Sequence, residues 1–207
     1  MPDLKKKTTG AERRYSESNT EIRADGDKKK IVGYAAKFNT KSSLIYGMFE
    51  EIIKPGAFDG ADMSDVRAYF NHNRNMILGR TKSGTLRLSI DEVGLRYEID
   101  AADTTATRDL ITSMERGDIN QSSFAFVVEE DEWDEKAEPV QRSIIRFKTI
   151  SDVSPVSEPA FPDTSSGVRD LDGFSLETTS KLIEIQEKRT IAALDDARLE
   201  IELRTKM

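Results

Sequence analysis

A single histidine limits the chemistry that this sequence can support. His72 is the only histidine among 207 residues, and it lies between Asn71 and Asn73, directly after the apolar segment 66–70. A serine hydrolase needs a hydroxyl nucleophile, a base that takes its proton and a group that orients the base. Any histidine base in this chain must therefore be His72, and mechanisms that need two histidines, such as a His-rich metal site, are excluded.

Several serines are candidate partners for this histidine because each one is near the end of a predicted strand. They are Ser122, Ser123, Ser143 and Ser154. Residue type and position do not show which of these serines is the nucleophile. A serine at the start of a strand also commonly serves only as a local hydrogen-bond partner of the backbone.

Short strands at close spacing are the elements that must position these side chains. We predict strands over residues 31–38, 48–53, 66–70, 123–128 and 144–150. A β-hairpin is predicted at 86–99, because apolar residues alternate with polar ones on both sides of a turn at 91–94. Its apolar positions are Leu86, Leu88, Ile90, Leu95, Tyr97 and Ile99.

One short helix interrupts the strands. Thr104 or Thr105 caps its start, and Gly117 ends it. Leu110, Ile111 and Met114 form its apolar face. The pattern predicts a mostly β (α+β) fold, a closed or partly open antiparallel β-barrel with one or a few flanking helices and a C-terminal helix.

The ends of the chain differ in character from its middle. Residues 1–28 are polar, charged and without a period, which predicts a flexible N-terminal arm. Residues 29–162 form the predicted folded domain. Residues 163–207 begin as a linker rich in Ser, Gly and Asp, and continue as a charged C-terminal helix from about residue 176.

Composition excludes several classes of function. The chain has no cysteine, so disulfides, cysteine-zinc sites and thiol nucleophiles are excluded, which is compatible with a reducing cytoplasm. No apolar run approaches the roughly 20 residues that cross a bilayer. A net charge of −7 is not typical of a protein that binds nucleic acid. We therefore expect a chain that works without nucleic acid and without a membrane.

Five motifs follow one another along the chain: VGYAAKFN at 32–39, EIIKPGAF at 51–58, FNHN at 70–73 with LGR at 78–80 and GTLRL at 84–88, DINQSSFAF at 118–126, and DVSPVSEPAF at 152–161. In order and spacing they resemble the motifs of the phage prohead maturation protease family, which is related in fold to the herpesvirus assemblins. The resemblance covers residues 30–162. It implies that residues 29–162 are a serine protease domain.

The resemblance assigns two site residues. His72 matches the base of the family, and Ser123 matches the nucleophile because it directly precedes Phe124. Side chains alternate along a strand, so Ser122 and Ser123 point to opposite faces and only one of them can meet His72. Ala125 stands where many relatives have glycine, a mild departure that leaves the chemistry intact.

The third member of the site is not fixed by the resemblance. Assemblins use a second histidine there, and this chain has none left. A carboxylate can hold the imidazole tautomer, and Asp152 is the first choice and Glu158 the second. For the oxyanion, backbone N–H groups near Ser123 and the side chains of Arg142 or Arg146 are open possibilities.

The implied function is a serine endopeptidase that processes capsid and scaffold protein during phage prohead maturation. The resemblance implies that the partners are the major capsid protein, its scaffold segment and the protease itself. The implied location is the assembling prohead in the bacterial cytoplasm. No metal or organic cofactor is expected, and a homo-oligomer is possible. The alternatives are a catalytically inactive scaffold or assembly chaperone of the same fold, and a serine esterase. The C-terminal helix is either a packing helix or a docking or self-cleaved segment.

Overall fold

The computed structural model describes residues 11–16, 20–25, 28–45, 47–157 and 175–205. The chain divides into two compact units. Residues 11–173 form the unit that holds the β-sheets, and the other unit comprises residues 1–10 and 174–207. The described part of the second unit is a long helix, α2 (Leu176–Thr205).

The first unit is built mainly of strands, as the sequence predicts. Its described elements are β1 (Glu12–Ser16), β2 (Glu21–Asp25), β3 (Lys28–Lys37), β4 (Phe49–Ile53), β5 (Arg67–Tyr69), β6 (Ile77–Arg80), β7 (Leu86–Ile90), β8 (Gly94–Asp100), α1 (Thr105–Glu115), β9 (Gln121–Asp134) and β10 (Val140–Val156). Neither α1 nor α2, the two α-helices of the described residues, is long and apolar enough to cross a membrane.

The strands form two sheets. One has six strands in the order β1-β9-β10-β5-β6, with β4 also on β10, and the other has four in the order β2-β3-β8-β7. β10 is long enough to pair with two strands in succession. Its first residues run parallel to β4, from Val140 opposite Phe49, and its last residues run parallel to β5, with Asp152 opposite Arg67.

The mostly β fold is confirmed, but the closed barrel is not. Both sheets are open in the described part of the chain, and the pairs that β10 makes with β4 and β5 are parallel rather than antiparallel. Parallel partners need a crossover connection and leave no local mark in the sequence, so alternation alone does not reveal them.

The hydrophobic core contains residues of both sheets. Phe124 and Phe126 of β9 stack with ring centroids 4.7 Å apart, and Phe147 of β10 meets Phe126 edge-on at 4.9 Å. Tyr97 and Ile99 of β8 belong to the same buried cluster. Because the side chains of β9 alternate, the burial of Phe124 and Phe126 in this core directs Ser123 to the opposite face.

Helix α1 follows the predicted boundaries. The N–H of Thr107 donates to the hydroxyl of Thr104, so Thr104 is the N-cap. Leu110, Ile111 and Met114 are buried. Gly117 has a φ of 84°, which is the left-handed conformation that glycine supplies after a helix.

Two described stretches of the predicted N-terminal arm form strands. Residues 12–16 and 21–25 are strands β1 and β2, each paired antiparallel in a sheet. In β1 it is charged side chains, Glu12 and Arg14, that are buried. Because these buried side chains are charged and ion-paired, the hydrophobic pattern does not indicate the strand.

The acidic stretch 129–138 is strand over its first six residues. β9 continues through it to Asp134, paired with β10. Arginines on β10 face the acidic side chains: Arg142 contacts Asp131, and Arg146 contacts Glu129 and Glu130. Charge complementarity across the two strands therefore stabilises a polar hairpin extension.

Candidate active site

The turn after β5 holds His72 in an uncommon backbone conformation. Asn71 and His72 have φ values of 52° and 54°, in the left-handed region. Asparagine and histidine are among the residues that tolerate this region best. The Asn71 N–H donates to the carbonyl of Pro155 at 3.1 Å, and Asn71 Oδ1 accepts from the N–H of Ser157 at 2.9 Å. The turn is thus fixed to the end of β10.

The structure brings His72, Ser123 and Asp152 together. His72 Nε2 lies 2.6 Å from Ser123 Oγ, and His72 Nδ1 lies 2.8 Å from Asp152 Oδ2. A carboxylate only accepts hydrogen bonds, so Nδ1 carries the proton and donates it to Asp152. Nε2 then has a free lone pair that accepts from the Ser123 hydroxyl. This is the tautomer in which imidazole can act as a base toward the serine.

A second hydrogen bond fixes the carboxylate. The hydroxyl of Ser154 donates to Asp152 Oδ1 at 2.5 Å, while Oδ2 faces His72. Ser154 and Asp152 are two residues apart on β10, so both side chains lie on one face of the sheet. Ser154 also lies opposite Ser123 in the pairing of β9 with β10. Ser154, a candidate nucleophile by sequence, therefore contacts the carboxylate and not the histidine.

The three groups are shielded from solvent. Ser123 is 0% exposed, and the side chains of His72 and Asp152 are 8% and 10% exposed. Low exposure strengthens the hydrogen bonds in the series because water screens them less. It also means that the Ser123 hydroxyl is not open to the surroundings in this conformation.

Ser122 faces the other way, as strand alternation predicts. Its hydroxyl lies 2.7 Å from the Tyr97 hydroxyl and 2.8 Å from that of Thr20, and Thr20 and Tyr97 are 3.2 Å apart. Burial raises the pKa of Tyr97, and the hydrogen bonds from Ser122 and Thr20 offset part of that rise. Ser122 belongs to a closed ring of buried hydroxyls and has no contact with the histidine.

The remaining residues predicted for the site lie away from His72 and Ser123, or outside the described part of the chain. Ser143 and Arg142 precede Asp152 by nine and ten residues on the same strand, roughly 30 Å along it. Arg146 is half exposed and paired with Glu129. Neither arginine is at the site, so of the candidate oxyanion donors only backbone N–H groups near Ser123 stay a prediction. Glu158 lies outside the described residues.

Arg142 takes part in an ion cluster, defined here as Glu12, Arg14, Glu51 and Arg142. Arg142 contacts Glu12 at 2.7 Å and Glu51 at 3.1 Å, and Arg14 contacts the same two carboxylates at 2.6 and 2.9 Å. Burial acts to lower the pKa of Arg142, but Glu51 and Glu12 overcome it and the net direction is upward. The cluster is buried, and its ion pairs join β1 to β4 and β10.

Sequence reasoning missed two residues that support the site. By sequence Ser154 is only a candidate nucleophile, although its spacing of two from Asp152 on a strand already places both side chains on one face. Asn71 is by sequence only a neighbour of His72, but asparagine tolerates a left-handed backbone, and that tolerance indicates a turn at this position. Within the described residues, no group of three or more side chains is placed to hold a metal ion.

A hydroxyl, an imidazole and a carboxylate hydrogen-bonded in this order form the site of the serine hydrolase class. The sequence matches the model of the caudovirus prohead serine protease family over residues 17–181, and the chain belongs to this family. Neither the curated proteins nor the solved structures contain a match. Membership places the chain among the prohead serine proteases of tailed phages, and His72, Ser123 and Asp152 all lie within the matched range.

Proposed function

We propose that this chain is an endopeptidase that acts through an acyl-enzyme formed on Ser123. Ser123 Oγ attacks the scissile carbonyl carbon while His72 Nε2 takes the hydroxyl proton. The tetrahedral intermediate collapses, the C–N bond breaks, and His72 gives the proton to the leaving amine. His72 then takes a proton from water, the resulting hydroxide attacks the acyl-enzyme, and the proton returns to Ser123.

Asp152 has an electrostatic role in this proposal. It accepts the hydrogen bond from Nδ1, which keeps Nε2 free, and it stabilises the imidazolium that forms when His72 takes the proton. The observation that carries the proposal is the unbroken series of two hydrogen bonds, 2.8 Å from Asp152 to His72 and 2.6 Å from His72 to Ser123. The family to which the chain belongs supports the same chemistry.

We infer that the substrates are the phage major capsid protein, its scaffold segment and the protease itself. The family description supports the setting, which is the prohead of a tailed phage. The site of action in this proposal is the assembling prohead in the cytoplasm of the bacterial host. Removal of the C-terminal segment by self-cleavage is part of the same proposal.

The test is co-expression of the chain with the capsid protein of the same phage, read by intact mass. Wild type is compared with Ser123→Ala and with the matched control Ser122→Ala, the same change one residue away on the opposite face. We expect truncated capsid protein or truncated protease in wild type and Ser122→Ala, and full-length proteins in Ser123→Ala. Equal cutting in all samples would exclude Ser123 as the nucleophile.

Two further readouts separate the alternatives. A fluorophosphonate forms a stable adduct on an activated serine, so its added mass at Ser123 measures the reactivity of that hydroxyl directly. An inactive assembly chaperone acquires no adduct under any condition. An esterase acquires the adduct and hydrolyses small esters but leaves the capsid protein intact.

A further inference from the structure

The strand that carries Ser123 is paired on both of its edges. Ser154 of β10 lies opposite Ser123 on one side, and Tyr15 of β1 lies opposite it on the other. Ser123 itself is 0% exposed. A substrate carbonyl therefore reaches the hydroxyl only after some segment of the protein moves.

Displacement of β10 and displacement of β1 would affect the hydrogen bonds of the site differently. β10 carries Asp152 and Ser154, so its displacement would break the hydrogen-bond series that activates the serine. β1 has five residues and is the outer strand of the sheet in the described part of the chain. Its removal leaves the contacts of His72, Ser123 and Asp152 with one another in place.

β1 also lies outside the part of the chain that defines the family. The match to the family begins at residue 17, and β1 ends at Ser16. The sheet edge to which β1 binds is thus part of the matched domain, whereas the strand that covers it precedes that domain. An edge of this kind accepts an extended peptide by main-chain hydrogen bonds.

We propose that β1 occupies the substrate-binding edge of β9, and that Ser123 becomes reactive when an extended segment of substrate replaces β1 as an antiparallel strand. The proposal rests on the proposed endopeptidase function and adds its regulation and the form in which substrate binds. β1 is then a built-in competitor, and substrate must displace it before cleavage.

The charges of β1 suit a strand that is held firmly and can still leave. Glu12 and Arg14 pair with each other and with Glu51 and Arg142. β1 contributes one anion and one cation, so its departure removes no net charge from the cluster. Arg142 keeps its contacts with Glu51 at 3.1 Å and with Asp131 at 2.6 Å. The edge left behind is therefore not destabilised by an unpaired buried arginine.

A reversible crosslink tests the proposal in the full-length chain. Arg13 of β1 and Ala125 of β9 are direct partners in the register, and Arg13 is exposed. Paired positions of antiparallel strands lie close enough for a disulfide after small adjustments. The chain has no cysteine of its own, so the double variant R13C/A125C has one disulfide to form. Intact mass reports its formation, and a reductant opens it.

The rate of fluorophosphonate labelling at Ser123 is measured in both redox states of the same variant. We expect the oxidised state to label at least about ten-fold more slowly, because the rate scales with the fraction of molecules in which β1 has left. The single variants R13C and A125C, treated identically, should show no dependence on redox state. Comparison within one variant removes any effect of the substitutions on folding.

A second variant acts on the ion cluster without a crosslink. E12Q/R14Q removes both charges that β1 contributes to the ion cluster and leaves Arg142 with Glu51 and Asp131. We expect labelling several-fold faster than in wild type. The matched control is E21Q/R23Q, an exposed ion pair of the same spacing on β2 in the other sheet, which should label at the wild-type rate.

The outcomes separate the two proposals. Equal labelling of oxidised and reduced R13C/A125C would overturn the displacement of β1 and leave the endopeptidase function standing. Absence of labelling in wild type, reduced R13C/A125C and E12Q/R14Q together would overturn both. Slow labelling of the oxidised state that recovers on reduction supports the proposal, whether or not E12Q/R14Q folds.

Discussion

Replacement of Asp152 by asparagine isolates the electrostatic role of the carboxylate, because the side chain keeps its shape and loses its charge. Both oxygens of Asp152 are engaged, Oδ2 with His72 at 2.8 Å and Oδ1 with the hydroxyl of Ser154 at 2.5 Å. Asparagine offers one acceptor and one amide donor in place of two acceptors. Its orientation between His72 and Ser154 therefore decides which tautomer the imidazole adopts.

The first orientation points the amide NH₂ at His72 and the oxygen at Ser154. The Ser154 hydroxyl keeps its bond, but Nδ1 must now accept, so the proton moves to Nε2 and Ser123 loses its base. The reverse orientation keeps the productive tautomer but leaves the imidazolium without a counter-charge. Either outcome reduces reactivity, and for the tautomer effect the loss is about 10⁴-fold, or about 5 kcal/mol of activation free energy.

The assay is the second-order rate of fluorophosphonate labelling at Ser123, followed by intact mass. Asp109→Asn, an exposed carboxylate on α1, is the matched control and should keep the wild-type rate. Thermal unfolding of each variant shows whether the fold is retained. A rate for Asp152→Asn within ten-fold of wild type, in a folded protein, would refute the assignment of Asp152 as the group that orients His72.

Two further substitutions test the framework around the site. Gly33→Ala would place a methyl group 2.7 Å from the buried Tyr97 hydroxyl, so we expect a loss of about 2 kcal/mol in the free energy of unfolding, measured by denaturant titration. Asn71→Ala removes both the side-chain bond to Ser157 and the tolerance for a φ of 52°, whereas Asn71→Gly removes only the bond. We expect labelling to slow about ten-fold for the alanine variant and less for the glycine variant, and the reverse order would contradict the positioning of His72 by backbone conformation.

Local sequence patterns are sufficient to predict the strands and the helix that bury apolar side chains. Leu86 to Ile99 alternate in the sequence and form the hairpin β7–β8, and Thr104 and Gly117 bound α1 where their chemistry indicates. The same period of two separated Ser122 from Ser123, and the structure places their hydroxyls on opposite faces. Where a strand has one apolar face, the sequence is sufficient to orient its side chains.

Parallel pairing was beyond such patterns. Several other elements separate β4 and β5 from β10 in the chain. The sequence of the paired segments does not indicate which strand is the partner. This pairing brings Asp152 next to β5 and so next to the turn that carries His72. The contact of Asp152 with His72 is therefore a consequence of topology, and from the sequence Asp152 is only the first choice, before Glu158, for the third member of the site.

Charged strands were missed for a different reason, and β1 shows why this bears on function. Its buried side chains, Glu12 and Arg14, are polar residues that the hydrophobic pattern assigns to solvent. A buried ion pair contributes little net stability against its desolvation, but its loss on one side only is costly. A strand held by such pairs gains little net stability from them, so its displacement costs little if both of its charges leave together. This is the property that the proposed exchange between β1 and a substrate strand requires at the edge beside Ser123.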